Sequence, residues 1–196
     1  MVELSGARRS DLHSALRAAT EAAHRRLERR LALLALPLQR QRFLAILQGF
    51  WGFHSVWEPA LADCPALASL TQGRSRLALL RADLLALGLQ PAEIAALPLC
   101  HGAEGLGGSA ERLLGSLYVM EGSTLGGQVI ARQLQEAAWA PPVGLHYFNP
   151  YGARTGAMWR ALLAALARLP ASEAVIGGAR DSFALLHDWL GDRLPA

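Results

Sequence analysis

The chain contains no lysine; all 19 of its basic residues are arginine, in a length of 196. A GC-rich codon bias accounts for this, and so does a need for carboxylate or phosphate recognition, because arginine presents a fixed fork of donors. Only two cysteines are present, Cys64 and Cys100, which excludes a disulfide framework and a four-cysteine zinc site. Val, Ile and Thr are scarce, at six, four and four residues, whereas Ala and Leu are abundant. Sheets draw on the first group and helices on the second, so a large sheet is excluded and an all-α fold is expected. No uncharged apolar run is long enough to span a bilayer. The longest uncharged stretch, Ala137 to Ala153, is interrupted by Pro141, Pro142, Asn149 and Pro150. The N-terminus lacks the apolar centre of a secretory signal, so a cytoplasmic location is expected. Net charge is only +3, and no arginine run is interleaved with aromatics, so neither a nucleic acid nor a membrane is an expected partner.

Apolar residues make up 52% of the chain and charged residues 18%, which is the composition of a folded protein with a sizeable core. One domain over residues 1–196 is expected. Ser10 or Asp11 can cap a first helix that runs to about Leu36, where Pro37 ends it. Further helices are expected over Gln39–Ala62 and Arg74–Leu87, with a short one between Pro91 and Pro98. The glycine-rich segment His101–Gly108 reads as a loop. Ser109 opens a long helix to about Ala138, residues 141–152 read as an irregular linker, and two helices follow near Arg154–Leu169 and Ala171–Leu190.

The oddity lies inside the long helix. Glu121-Gly122-Ser123-Thr124-Leu125-Gly126-Gly127-Gln128 carries three glycines in six positions. Each costs about 1 kcal/mol against alanine in a helix interior, and a kink is the expected result. Glycine lets a backbone approach a flat partner, either another helix or a planar ligand. A phosphate loop is excluded, because no strand precedes the glycines and no Gly-Lys-Ser/Thr follows.

The first helix carries a second constellation. Arg17 lies seven positions before His24, on nearly the same face and roughly 10 Å away along the axis. Glu28 lies one turn after His24 and can orient its ring, as a carboxylate does for a metal-bound histidine. Ala19, Thr20 and Ala23 leave room for something broad. A planar metal macrocycle bearing carboxylates fits this face, with His24 on the iron, Arg17 on a propionate and the glycines closing the other side. Glu21-Ala22-Ala23-His24 also spells a di-iron ligand motif, but such sites need a second copy and none exists here.

Leu16-Arg17-Ala18-Ala19-Thr20-Glu21-Ala22-Ala23-His24 resembles the proximal-helix motif of heme oxygenases. Tyr118-Val119-Met120-Glu121-Gly122-Ser123-Thr124-Leu125-Gly126-Gly127-Gln128 resembles their distal-helix motif, most closely in bacterial members found alongside bacteriophytochromes. Together the motifs cover about a tenth of the chain, and the pair is specific where either alone would be weak. The resemblance implies a helical fold that holds heme, as cofactor and substrate, between the first helix and a kinked distal helix. It implies opening of heme to biliverdin, Fe²⁺ and CO with O₂ and an electron donor such as a ferredoxin or a reductase. A bacteriophytochrome is the implied acceptor of the biliverdin. His24 matches the metal ligand, Arg17 a propionate partner and Glu28 the acid beside the ligand. Gly122 and Gly126 match the distal glycines. Ser123 stands where animal members carry an aspartate that organises distal water, so Ser123, Thr124 or backbone groups take over that task.

Tyr118 is expected to line the pocket or reach a propionate. Arg160 is a second anchor candidate and Phe183 a candidate wall. His54, His101, His146 and His187 read as structural or exposed. No His or Arg lies between Tyr118 and Ile130, which suits oxygenation of a ring carbon better than peroxidase-type O–O cleavage. The alternative reading is a heme carrier or sensor of the same fold without turnover.

Overall fold

The computed structural model describes residues 11–141 and 145–195, and these form helices and connecting turns with no strand among them. Helix α1 spans Leu12–Leu31. Its cap is Asp11, whose side chain accepts from the Ser14 N–H at 2.6 Å; the alternative cap, Ser10, lies outside the described residues. The expected end near Leu36 is corrected: Ala32 turns left-handed at φ 48°, and its N–H closes on the Glu28 carbonyl. Ending there folds the chain back, so that Leu31, Leu33 and Leu38 all enter the core.

Helix α2 (Arg40–Ala62) buries Phe43, Ile46, Leu47, Phe50, Phe53, His54, Trp57 and Leu61, a stripe at helical spacing. A 3-10 turn and the single-turn α3 (Ala68–Thr71) lead to α4 (Leu77–Ala86) and α5 (Pro91–Ala95). His101–Gly108 is a 3-10 helix and not the loop that its glycines suggest. Then α6 (Ala110–Gln135) starts at Ser109, whose hydroxyl accepts from the Arg112 N–H at 3.2 Å. The last two helices are α7 (Thr155–Leu166) and α8 (Glu173–Gly191), the latter capped by Ser172.

Helix α8 is the floor on which the site stands. It packs most extensively against α6 and next against α1, and those two helices touch each other little. The α6–α8 approach is close enough to exclude side chains. A Cβ on Gly115 would land on the Val175 carbonyl oxygen, and one on Gly178 would land on that of Arg112. With α1 and α6 both resting on α8, a slot is left between them. One core cluster underlies the described helices.

Candidate functional site

On the α1 side of the slot, His24 is half exposed, with Nε2 3.5 Å from the Glu28 carboxylate one turn on. The edge of its ring meets the buried Phe183 of α8 at a centroid distance of 5.7 Å. Among the described residues, no protein group bonds the second ring nitrogen. Thr20 is buried, and its hydroxyl donates to the Leu16 carbonyl at 2.8 Å, so it adds a small surface and no free donor. Glu21 is taken up by Arg25 at 2.6 Å, and among the described residues no group of three or more His, Cys, Asp or Glu is placed to hold a metal ion. The Glu21-x-x-His24 motif therefore lacks the rest of a di-iron site.

On the α6 side, the helix runs unbroken through the glycine stretch. Two hydroxyls bond back onto the backbone there: Ser123 donates to the Met120 carbonyl and Thr124 to the Glu121 carbonyl, both at 2.7 Å. Back-bonding of this kind bends helices. The three glycines prove to have different neighbours. A Cβ on Gly127 would collide with the Phe148 carbonyl, so this glycine serves chain packing. A Cβ on Gly126 would meet no atom within 4 Å, and one on Gly122 would meet only the Trp159 ring at 3.6 Å. Gly122, Leu125, Gly126 and Val129 share one helical face, and both Leu125 and Val129 are exposed. That face is apolar, poor in side chains and open.

One end of the slot is closed by an aromatic wall. The rings of Tyr118 and Trp159 stand 5.4 Å apart, and His13 of α1 meets both at 6.0 and 6.1 Å. The structure thus places Gly122 and the N-terminal half of α1 on either side of Trp159. Burial pushes the Tyr118 hydroxyl pKa up, and the positive charge of Arg17 opposes that shift, which puts Arg17 and Tyr118 in one neighbourhood. Arg160, one residue beyond Trp159, is exposed and folds back towards Gly156 of its own helix. Of the aromatic wall, sequence reasoning named Tyr118 and missed Trp159 and His13. Trp159 and Arg160 are adjacent in sequence, but a step of 100° around the helix separates the wall residue from the surface one.

Behind α6 lies a buried polar network that no local motif announces. Glu121, 2% exposed, accepts from Arg74, from Arg76 Nη2 at 3.1 Å and from the Tyr151 hydroxyl at 2.7 Å. Burial pushes the Tyr151 pKa up to about 12. Further out, Glu58 accepts from the Arg76 N–H at 2.8 Å and the Ser75 hydroxyl at 2.6 Å. His54, read as structural, is fully buried at the end of this chain, between Glu58 at 2.8 Å and the Tyr147 hydroxyl at 3.0 Å. Burial holds its pKa below the usual histidine value. The neutral ring donates Nδ1–H to the carboxylate and accepts the Tyr147 proton at Nε2.

One cavity borders the slot and another lies away from it. The first, of about 260 Å³, is lined by Ala23, Arg26, Phe183, Ala184, His187 and Asp188, beside His24 between α1 and α8. The other, about 330 Å³, lies on the far side of α6 from Gly126, lined by Gln128, Arg132 and Asn149 among others. The first borders the histidine face; the second is remote from it.

An all-helical fold with a carboxylate-backed histidine on one helix and an open glycine face on another suits a flat, coordinating ligand. The comparisons with known proteins name that ligand. The profile described as Heme oxygenase matches residues 10–192, and the chain belongs to the heme oxygenase family. It is accordingly an enzyme that degrades heme, which is both its ligand and its substrate. A heme oxygenase from Xanthomonas campestris is 38% identical over 123 residues, 61% of this chain and 69% of that protein. Heme oxygenase from Leptospira interrogans superposes with a TM-score of 0.78 at 18% identity, covering 93% of this chain and 99% of the other. Heme oxygenase-1 from the cyanobacterium Synechocystis, solved in complex with heme, gives 0.74 at 18% identity over 93% and 91% of the two chains. At these identities the structural matches speak to the fold. Among the described residues, no helix is long and apolar enough to cross a membrane.

Proposed function

We propose that heme is seated between the His24 face of α1 and the Gly122–Gly126 face of α6, and is opened there to biliverdin, Fe²⁺ and CO with O₂ and external electrons. The observation that supports this reading is the open space over Gly126 on α6, together with a half-exposed histidine on α1 already paired with a carboxylate. The residues present fit the group. His24 has a ring nitrogen free for iron, with Glu28 to orient the ring. Phe183 supplies an apolar edge beneath, and Tyr118 and Trp159 a wall. Arg17, exposed at the mouth beside Tyr118, meets a propionate through a charge-assisted pair. Arg160, folded on its own helix, is the weaker anchor.

Bound heme supplies the iron at which oxygen is reduced and the ring carbon that is oxidised. The chain supplies placement and polarity. Gly122 and Gly126 let the α6 backbone come close to the ring and crowd the space above it, favouring attack at the ring edge. The distal face offers no histidine or arginine to drive O–O cleavage. Ser123 spends its hydroxyl proton on the Met120 carbonyl, so its oxygen is left as an acceptor for water, whereas Thr124 is buried with its proton on the Glu121 carbonyl. Ordered water held by Ser123 and the backbone then takes the place of a distal carboxylate.

The exposed arginines Arg25, Arg26, Arg29 and Arg30 of α1 suit an acidic electron donor such as a ferredoxin or the docking face of a reductase. The distal motif's likeness to bacteriophytochrome-associated members favours a bacteriophytochrome as acceptor of the biliverdin. The competing reading, a heme carrier or sensor, needs no close distal backbone. The two separate on adding heme and ascorbate in air. Decay of the Soret band with growth of biliverdin absorption and release of CO supports the enzyme; a persistent Soret band supports the carrier.

A further inference from the structure

Arg74 and Arg76 lie in the connection before α4, outside both motifs, yet both are nearly fully buried against α6. Together they hold both neighbours of Gly122. Arg76 donates to the Met120 carbonyl at 2.6 Å and to Glu121 at 3.1 Å, and its other terminal nitrogen stands 3.5 Å from the Ser123 hydroxyl. Arg74 donates to Glu121 and, at 3.0 Å, to the Met158 carbonyl of α7, the residue before Trp159. One arginine thus grips the helix on which Gly122 sits, and the other joins that helix to the wall that faces Gly122.

The Met120 carbonyl is shared between the Arg76 guanidinium and the Ser123 hydroxyl, so the arginine acts on the backbone at the start of the glycine run. Helix formation alone needs no such donor there, and burying two arginines is costly unless every donor is placed. The charges balance locally. Arg74 and Arg76 face Glu121, Glu58 carries the second negative charge on the outer side of Arg76, and His54 is held neutral by burial.

We propose that Arg74, Arg76 and Glu121 form a positioning clamp that sets, from behind α6, both the spacing of Gly122 from Trp159 and the local charge at the distal face. This rests on the heme-binding reading of the slot. The three residues touch neither heme nor oxygen in this account; they act through the Met120, Ser123 and Met158 positions.

A clamp that sets charge predicts shifts of opposite sign. In the ferric heme complex, the acid–alkaline spectral transition is loss of a proton on the distal side. Nearby positive charge favours that loss. Glu121→Gln leaves the clamp one charge more positive and moves the transition to lower pH. Arg76→Gln leaves it one charge more negative and moves it to higher pH, each by on the order of half a pH unit. Arg76→Lys keeps the charge but loses the fork, so the transition stays while the biliverdin isomer pattern broadens. Circular dichroism of each apo-protein checks folding. Should Glu121→Gln fail to fold, the contrast between Arg76→Gln and Arg76→Lys carries the test alone. Folded variants whose transitions move together, or not at all, overturn the clamp while leaving the heme site standing. A wild-type protein that forms no ferric heme complex overturns both.

Discussion

The two walls of the slot are built on opposite principles. The α1 wall is exposed and local: the His24 and Glu28 side chains are 50% and 60% accessible and lie on one stretch of helix. The α6 wall is backed by groups that are almost wholly buried, Arg76 at 3% and Glu121 at 2%, drawn from segments 45 residues apart. The α1 wall is cheap to alter, because these exposed groups contribute little to packing. The distal wall is costly to alter, because the groups that fix its backbone are also the ones that must not be left unpaired.

The largest effect expected from this contrast is on stability. Glu121→Ala strands two buried arginines and should lower unfolding free energy by about 3–5 kcal/mol, whereas Glu28→Ala should change it by less than about 1 kcal/mol. Urea denaturation of the two apo-variants measures the difference, and equal costs would erase the distinction between the walls.

Next in size is a contrast between adjacent glycines. Gly127→Ala drives a methyl into the Phe148 backbone, an overpacking that costs about 1–3 kcal/mol. Gly126→Ala enters open space and should gain up to about 1 kcal/mol of helix propensity while slowing heme turnover. Thermal melts beside single-turnover rates test this; a stability loss at Gly126 would mean that its face is packed.

Arg17 sits on the exposed wall, so its loss should be felt in seating more than in folding. One charge-assisted contact at an open mouth is worth on the order of 1–3 kcal/mol, enough to let a nearly four-fold symmetric ring adopt a second orientation. Arg17→Ala should therefore weaken heme binding modestly and give mixed biliverdin isomers by chromatography. A single unchanged isomer with unchanged affinity would move the anchor to Arg160 or elsewhere.

The smallest effects are in pH dependence, and they belong to the buried side. His54 has a depressed folded-state pKa because of burial, so the unfolded chain takes up its proton first. Its stabilisation is complete above the unfolded value near 6.5 and is lost as pH falls below it. Tyr151 is raised from 10.0 to about 12 by burial, so its contribution is complete below pH 10 and is lost as pH climbs towards 12. His54→Gln should flatten the acid limb of a stability–pH profile and Tyr151→Phe the alkaline limb. Unaltered limbs would place the titrating groups elsewhere.

The same contrast explains what the sequence discloses. The proximal constellation is legible because Arg17, Thr20, His24 and Glu28 sit at helical spacings within twelve residues, where periodicity alone puts them on one face. The helix inventory is legible for the same reason, although α1 stops at Leu31 because the core needs Leu33 and Leu38, which Pro37 does not reveal. The 3-10 helix at His101–Gly108 leaves no 3.6-residue signature and so reads as loop. Glu121 reads only as the residue before a glycine, since its partners Arg74, Arg76 and Tyr151 come from elsewhere in the chain. The sequence shows three glycines alike; only the neighbours at Phe148 and Trp159 tell packing from opening.

His24 is the residue proposed to take the iron on the exposed wall, and substitution there tests that assignment most directly. His24→Ala should fold with the stability of the parent chain, lose the wild-type ferric spectrum and turnover, and regain part of both when imidazole is added. A variant that keeps the parent's Soret band and rate without imidazole would place the ligand on another residue and contradict the arrangement of the two walls.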